Sequence, residues 1–282
     1  TERILFSAQE LHALQANENC LVVDCRFSLA DPGAGHKAYL VSHIPGAVYA
    51  HLDDDLSSPI TSDSGRHPLP DSDSFATFLG KIGWQPGVIL VVYDNVGGAI
   101  AARLWWLMKY FGHDGSAMLD GGFAAWQAAG YQFESGVVNV TPMPVVEFTL
   151  RKELVVSTPE LVRELEGDRI VLADARDRKR FEGQHEPIDR VAGHIPGSVN
   201  YPYSLNLTSS GVFKPVEDIR KGLHTLTENP QSRTLVHMCG SGVTACHNIF
   251  AAELAGLDES RLYVGSWSEW IQDASRPIQP GA

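Results

Sequence analysis

Residues 235–249 read LVHMCGSGVTACHNI. Leu235 to Met238 form an apolar run of strand length and the residues from Thr244 onward suit a helix, so the spacing predicts a tight turn that begins at Cys239. A strand passing through a short turn into a helix is the repeating unit of a parallel α/β sheet. The turn carries chemistry of its own. Gly240 and Gly242 can take positive φ, which lets successive backbone N–H groups between Gly240 and Thr244, Val243 included, curl round the Cys239 sulfur as an anion nest. A free thiol titrates near about 8.5, and a helix N-terminus or a positive nest lowers that value, so Cys239 is expected to be a thiolate and a nucleophile.

Outward from this stretch the chain repeats itself. LVVDCR (21–26) leads to SHIPGAVY (42–49), and later IVLADAR (170–176) leads to GHIPGSVN (193–200). The separation of His43 from His194 is close to that of Trp126, in LDGGFAAW, from Trp270, in VGSWSEW. A near-constant offset over half the length means duplicated domains rather than a short-period solenoid. Within each half, apolar strands (Cys20 to Asp24, Val88 to Tyr93, Met118 to Leu119; then Val171, Thr234 to Met238, Leu262 to Val264) alternate with helical stretches such as Ala101 to Tyr110 and Ala245 to Ala255. The expected fold is α/β, with two domains that are each a parallel sheet flanked by helices on both faces. Ser7, with Glu10 three residues on, predicts a capping box for a first helix over Ser7 to Gln15. The domains are expected at 1–137 and 156–282, joined by a linker over 138–155 that holds Pro142 and Pro144. Aligning the halves puts Asp94 of VVYDNVGGAI where Cys239 stands, so the first domain has no nucleophile.

Composition narrows the function. The chain has 282 residues, 22 basic against 34 acidic, for a formal charge of −12. That balance speaks against nucleic acid or an anionic membrane surface as a partner and requires local arginines for any anionic substrate. Four cysteines (Cys20, Cys25, Cys239, Cys246) with no CxxC pair fit a reducing cytoplasm, with neither a zinc site nor a disulfide scaffold. No run approaches the roughly 18 apolar residues of a membrane span, and the first residues lack an export signal.

CGSGVTA resembles the active-site loop of the rhodanese superfamily of sulfurtransferases, and its Cys-Gly-Ser-Gly-Val-Thr form resembles the branch that takes sulfur from 3-mercaptopyruvate. Relatives that use thiosulfate typically carry Arg and Lys where this chain has Gly240 and Ser241. The resemblance implies two rhodanese-like domains, the first degenerate. It further implies that sulfur passes from 3-mercaptopyruvate to a Cys239 persulfide and then to a thiol such as thioredoxin, or to cyanide, with release of pyruvate and no metal or organic cofactor.

The same resemblance nominates the remaining site residues. In RKRFEGQHEPIDR (178–190), Arg180 and Arg190 match the arginines that bind the donor's carboxylate and carbonyl oxygens, a task suited to a planar guanidinium fork. Asp189 is a competing partner for Arg190. In HLDDDLSSPITSDSGRHPLP (51–70), Asp53 and His67 match members of a proton relay that ends on Ser241, with Asp54 and Asp55 as alternatives to Asp53. His43 and His194 of the paired HIPG turns are read as structural. Cys246 is expected to pack rather than resolve a disulfide, and Trp267 to wall the pocket. Three rivals stand beside this reading: a thiosulfate-using enzyme, a non-catalytic binding module, and a phosphatase of the Cys-x5-Arg type. Ala245 stands where that last type requires its arginine.

Overall fold

The computed structural model describes residues 3–16, 20–226, 234–257 and 260–280. Among them lie two five-stranded sheets in which every pairing is parallel. The first holds β1 (Leu5–Phe6), β2 (Cys20–Asp24), β3 (Val48–Tyr49), β4 (Ile89–Tyr93) and β5 (Ser116–Leu119), in the order β1-β5-β4-β2-β3. The second holds β6 (Val155–Val156), β7 (Ile170–Asp174), β8 (Val199–Asn200), β9 (Thr234–Met238) and β10 (Arg261–Tyr263), in the order β6-β10-β9-β7-β8. The same order appears twice, as a duplicated chain requires.

The central strands CLVVD, ILVVY, IVLAD and TLVHM are mostly apolar along their whole length, the composition of strands covered by helices on both faces. Strand β7 pairs with β9 from Ile170↔Thr234 to Asp174↔Met238, so both end together just before Ala175 and Cys239. From there the chain leaves β7 toward β8 on one side and leaves β9 toward β10 on the other. This reversal opens a crevice at the carboxyl ends of the two strands, the general position for a ligand in an open α/β sheet.

The helices after the two central loops, Ala101–Tyr110 and Thr244–Leu254, are buried all round over Ala101 to Met108 and Ala245 to Ala252, so neither is an amphipathic surface helix. Surface helices start where caps dictate. Ser7 Oγ accepts the Glu10 N–H while Glu10 accepts the Ser7 N–H, and Ser157 with Glu160 repeats the box in the second half. The two-residue strands β1 and β6 went unread in the sequence, since two residues carry no periodicity, whereas β3 and β8 are the short strands that follow the HIPG turns. No helix among the described residues is long and apolar enough to cross a membrane.

The chain divides into two compact units, 1–58 with 69–151 and 209–213, and 59–68 with 152–208 and 214–282. This differs from the expected division in two places. The segment read as linker is held on the first unit as far as Arg151, whose N–H donates to Tyr110 O at 2.8 Å and whose guanidinium grips Asp114. Residues 59–68, expected with the first domain, belong to the second unit.

Candidate active site

The loop after β9 is shaped by close approaches of backbone. Gly242 has φ of 77°, and a Cβ there would lie 2.6 Å from Val264 O, so glycine is required twice over. Gly240 corrects the sequence expectation, because its φ is outside the left-handed region. Its glycine serves proximity instead: a Cβ would meet Arg66 Nη2 at 3.0 Å and Arg180 Nη2 at 3.4 Å. The turn that follows β10 holds the loop from the other side. Trp267 and Ser268 donate their N–H groups to Cys239 O and Gly240 O at 3.0 and 2.8 Å, and Ser266 Oγ accepts the Cys239 N–H at 3.1 Å. Ser266 sits at φ 52°, a conformation that costs a non-glycine residue about 1–3 kcal/mol, and its side chain also donates to Tyr263 O.

Cys239 is 2 % exposed, and the Gly242 N–H points at its sulfur from 3.1 Å. The other thiols are placed differently. Burial raises Cys20, and it raises Cys25 well above the ordinary thiol range, with Asp24, Asp94 and Asp55 adding to that rise. Cys246, fully buried, donates to Gly242 O at 3.3 Å and so braces the loop from the first turn of the helix. The four cysteines are free thiols.

Ser241 and His67, both nearly buried, meet at 2.7 Å between Oγ and Nδ1. Arg66, beside His67, is fixed through its own N–H to Ser268 Oγ at 3.0 Å, so 59–68 is tied to the same turn that holds Cys239. Asp53 lies in the first unit on an exposed turn, with its N–H directed to His51 Nδ1. Asp55 accepts the His51 N–H, and Asp54 lies 3.4 Å from the His51 imidazole.

Arg180 comes from the short helix Arg178–Phe181 and is held by Glu186, whose two oxygens accept from its Nε and Nη2 at 2.9–3.1 Å. Asp189 bridges the two arginines beside Gly240, one oxygen 2.5 Å from Arg66 Nη1 and the other 3.0 Å from Arg180 Nη2. Glu186 also lies 3.5 Å from Arg176, which grips both oxygens of Asp174 and stacks on Trp267 with 4.8 Å to the ring centroid. Burial alone would raise the Glu186 carboxyl, but the Arg180 hydrogen bond and the N–H groups of Asp189 and Ile188 outweigh it and hold it below the ordinary range.

Two sequence expectations are corrected. Arg190 is exposed and donates to Ile271 O and Gln272 Oε1, capping the end of the helix Ser266–Trp270 rather than facing the cysteine loop. The second guanidinium at the loop is Arg66, which sequence reasoning missed although it stands next to the nominated His67. Trp267 is fully buried under Arg176, with its indole N–H on Val191 O, so it supports that arginine rather than walling an open pocket. The HIPG histidines are structural: His43 and His194 direct Nδ1 to Tyr39 O and Phe181 O and stack on those same rings.

The chain is similar to known proteins over nearly its whole length. The pattern of the rhodanese-like domain matches residues 7–129 and 157–273. A probable 3-mercaptopyruvate sulfurtransferase of Pseudomonas aeruginosa is 44 % identical over 281 residues, covering 98 % of each chain. A putative thiosulfate sulfurtransferase of Mycobacterium tuberculosis is 36 % identical over 99 % of this chain and 98 % of its own. The solved 3-mercaptopyruvate sulfurtransferase of Leishmania major superposes with a TM-score of 0.85 at 32 % identity, covering 98 % of this chain and 76 % of its own.

Proposed function

This chain belongs to the rhodanese-like family, and we propose that within it the protein is an enzyme that moves sulfur from 3-mercaptopyruvate to a thiol or cyanide acceptor. The observation that carries the reading is the convergence at one loop of a nucleophile, a proton-handling pair and two guanidinium groups: Cys239, Ser241 with His67, and Arg66 with Arg180 beside Gly240.

The donor's carboxylate and keto oxygen bind to Arg66 and Arg180 through charge-assisted hydrogen bonds, which brings its thiol to the Cys239 sulfur. The Cys239 thiolate attacks that sulfur. An S–S bond forms, the S–C bond breaks, and its electron pair goes to the three-carbon fragment, which leaves as the enolate of pyruvate. His67, acting through the Ser241 hydroxyl, manages the proton that converts the enolate to pyruvate. Cys239 retains the sulfur as a persulfide, whose outer atom is accommodated by the inward N–H groups of the loop. A second nucleophile then attacks the outer sulfur and returns Cys239 to the thiolate. A thioredoxin-like dithiol or a small thiol fits this step, as does cyanide. The free thiols support a reducing, cytoplasmic setting.

The thiosulfate-using alternative is favoured by the name of the Mycobacterium relative, while the uncharged Gly240 and Ser241 speak against it. The test is the mass of the intact protein after exposure to each donor. A single added sulfur from 3-mercaptopyruvate, absent from Cys239→Ser, supports the reading; loading of the Ser variant, or no loading of the parent, overturns it.

A further inference from the structure

The arginines beside the cysteine loop are almost entirely neutralised by acids of the same unit. Three guanidinium groups (Arg66, Arg176, Arg180) face three carboxylates (Asp174, Glu186, Asp189) in one continuous chain of contacts. Two of the acids have structural tasks. Asp174 is consumed by Arg176, and Glu186 accepts from Arg180 and from the N–H groups of Ile188 and Asp189. Asp189 alone touches both guanidinium groups that face Gly240, and its side chain is 4 % exposed, so water screens it weakly.

The stretch that carries it is specific to the cysteine-bearing unit. His43 bonds to Tyr39 O in the first unit and His194 to Phe181 O in the second, which aligns Tyr39 with Phe181 and Ala38 with Arg180. Only four positions separate Tyr39 from His43, whereas Glu186 and Asp189 ride on a much longer excursion between Phe181 and His194. The excursion thus supplies acids where the unit without a nucleophile has neither the arginine nor the acids.

We propose that Asp189 determines donor choice by cancelling one charge of the arginine pair. The inference rests on the function proposed above. With Asp189 ionised, the three guanidinium groups are balanced by three carboxylates, so a 3-mercaptopyruvate carboxylate is held by directed hydrogen bonds to Arg66 and Arg180 with no surplus positive charge left for a second anionic group. Thiosulfate brings two negative charges in a compact group, and the second meets Asp189 across a poorly solvated gap. Asp189 is a specificity-determining residue acting through the two arginines, not a catalytic one.

The test is the ratio of kcat/KM for thiosulfate to kcat/KM for 3-mercaptopyruvate at fixed pH and ionic strength, in the whole protein and in Asp189→Asn and Asp189→Glu. The Asn variant should move the ratio toward thiosulfate by about tenfold or more, the scale of one charge-assisted contact, and the Glu variant should restore it. A loss of positioning alone would lower both donors together and leave the ratio where it was, which overturns the proposal. Two further readings make the result independent of how well the Asn variant folds. Sulfate, a dianion with no sulfur to donate, should inhibit Asp189→Asn at a lower concentration than it inhibits the parent. Arg66→Gln, which subtracts a charge from the same pair, should move the ratio away from thiosulfate; movement of either in the opposite sense overturns the assignment. Should the parent protein take sulfur from neither donor, the proposed function falls instead, so the two failures are distinguishable.

Discussion

The loop after β4 and the loop after β9 share one scaffold and do opposite things with it. In the first, Asp94 is fully buried and its carboxylate accepts four backbone N–H groups: Val96 and Gly98 on one oxygen, Ile100 and Ala101 on the other, all at 2.8–2.9 Å. The nest carries its own anion and is complete. In the second, the Cys239 side chain ends one atom earlier, at a sulfur that receives the Gly242 N–H. In the proposed reaction the transferred sulfur takes the position beyond Cys239 that the Asp94 oxygens hold in the first unit. The surroundings diverge in step. Arg26, paired with Asp24 and lying over Phe123, matches Arg176, paired with Asp174 and lying over Trp267, but Arg180 has only Ala38 as counterpart. A built-in carboxylate needs no arginines to receive a ligand, whereas an open nest that accepts an anionic donor does.

The sharpest way to break this comparison is Cys239→Asp, which should close the second nest as Asp94 closes the first. Sulfur transfer and cyanolysable sulfur should disappear, while the thermal midpoint should hold or rise; residual turnover would mean that the nucleophile is elsewhere. The converse change, Asp94→Ala, should leave Cys239 chemistry in place and destabilise the first unit. It strands the buried N–H groups of Gly98 and Ala101, each costing about 1–3 kcal/mol when unpaired, and the partly buried ones of Val96 and Ile100, which water can reach, so the loss should be about 2–6 kcal/mol in a denaturant titration. An unchanged midpoint would show that the nest relaxes or takes up water.

Smaller effects sharpen the contrast in arginines. Arg66→Ala and Arg180→Ala should each lower kcat/KM for 3-mercaptopyruvate by about one to two decades, the loss of a charge-assisted contact of about 1.5–3 kcal/mol. Arg190→Ala should leave it within about a factor of two, since its partners are Ile271 O and Gln272. Equal losses in all three would return Arg190 to the site.

A separate effect, on stability rather than turnover, concerns His237 on β9. Burial lowers its pKa from 6.5 to about 3. Folded protein therefore holds it neutral while the unfolded chain takes up a proton as pH falls through 6.5, so its contribution to stability is intact above that value and is lost progressively down to about 3. Between pH 6.5 and 5 the loss should be on the order of 1–2 kcal/mol, and His237→Gln should flatten that part of the stability profile. A parallel profile in the variant would place the acid sensitivity in other groups.

Much of this molecule could be read from short stretches. The runs at 20–24, 89–93 and 170–174 are central strands because four or five consecutive apolar residues have nowhere to go but a doubly covered sheet, and 234–238, interrupted by His237, joins them as their repeat counterpart. The repeat, the vacancy of a nucleophile at Asp94 and the strand-turn-helix frame of Cys239 followed from the same local signals. Resemblance added Arg180 and the pairing of His67 with Ser241, whose atoms do meet. The need for glycine at 242 was also legible, for a positive φ.

What tertiary structure alone decided is where long charged side chains point. A guanidinium on a flexible stem can reach several acids, and which one it takes depends on packing many residues away. Arg190 turned to the end of a helix at Ile271, and Arg66 entered the site because 59–68 docks on Ser268 of the second unit. The role of Gly240 was hidden for the same reason, being a matter of which guanidinium groups lie 3.0–3.4 Å from an absent Cβ rather than of its own backbone angle. Periodicity and turn chemistry act over a few residues and are written in the chain. The balance of Arg66, Arg180, Glu186 and Asp189 is set by contacts between distant segments, and it exists only once they are folded together.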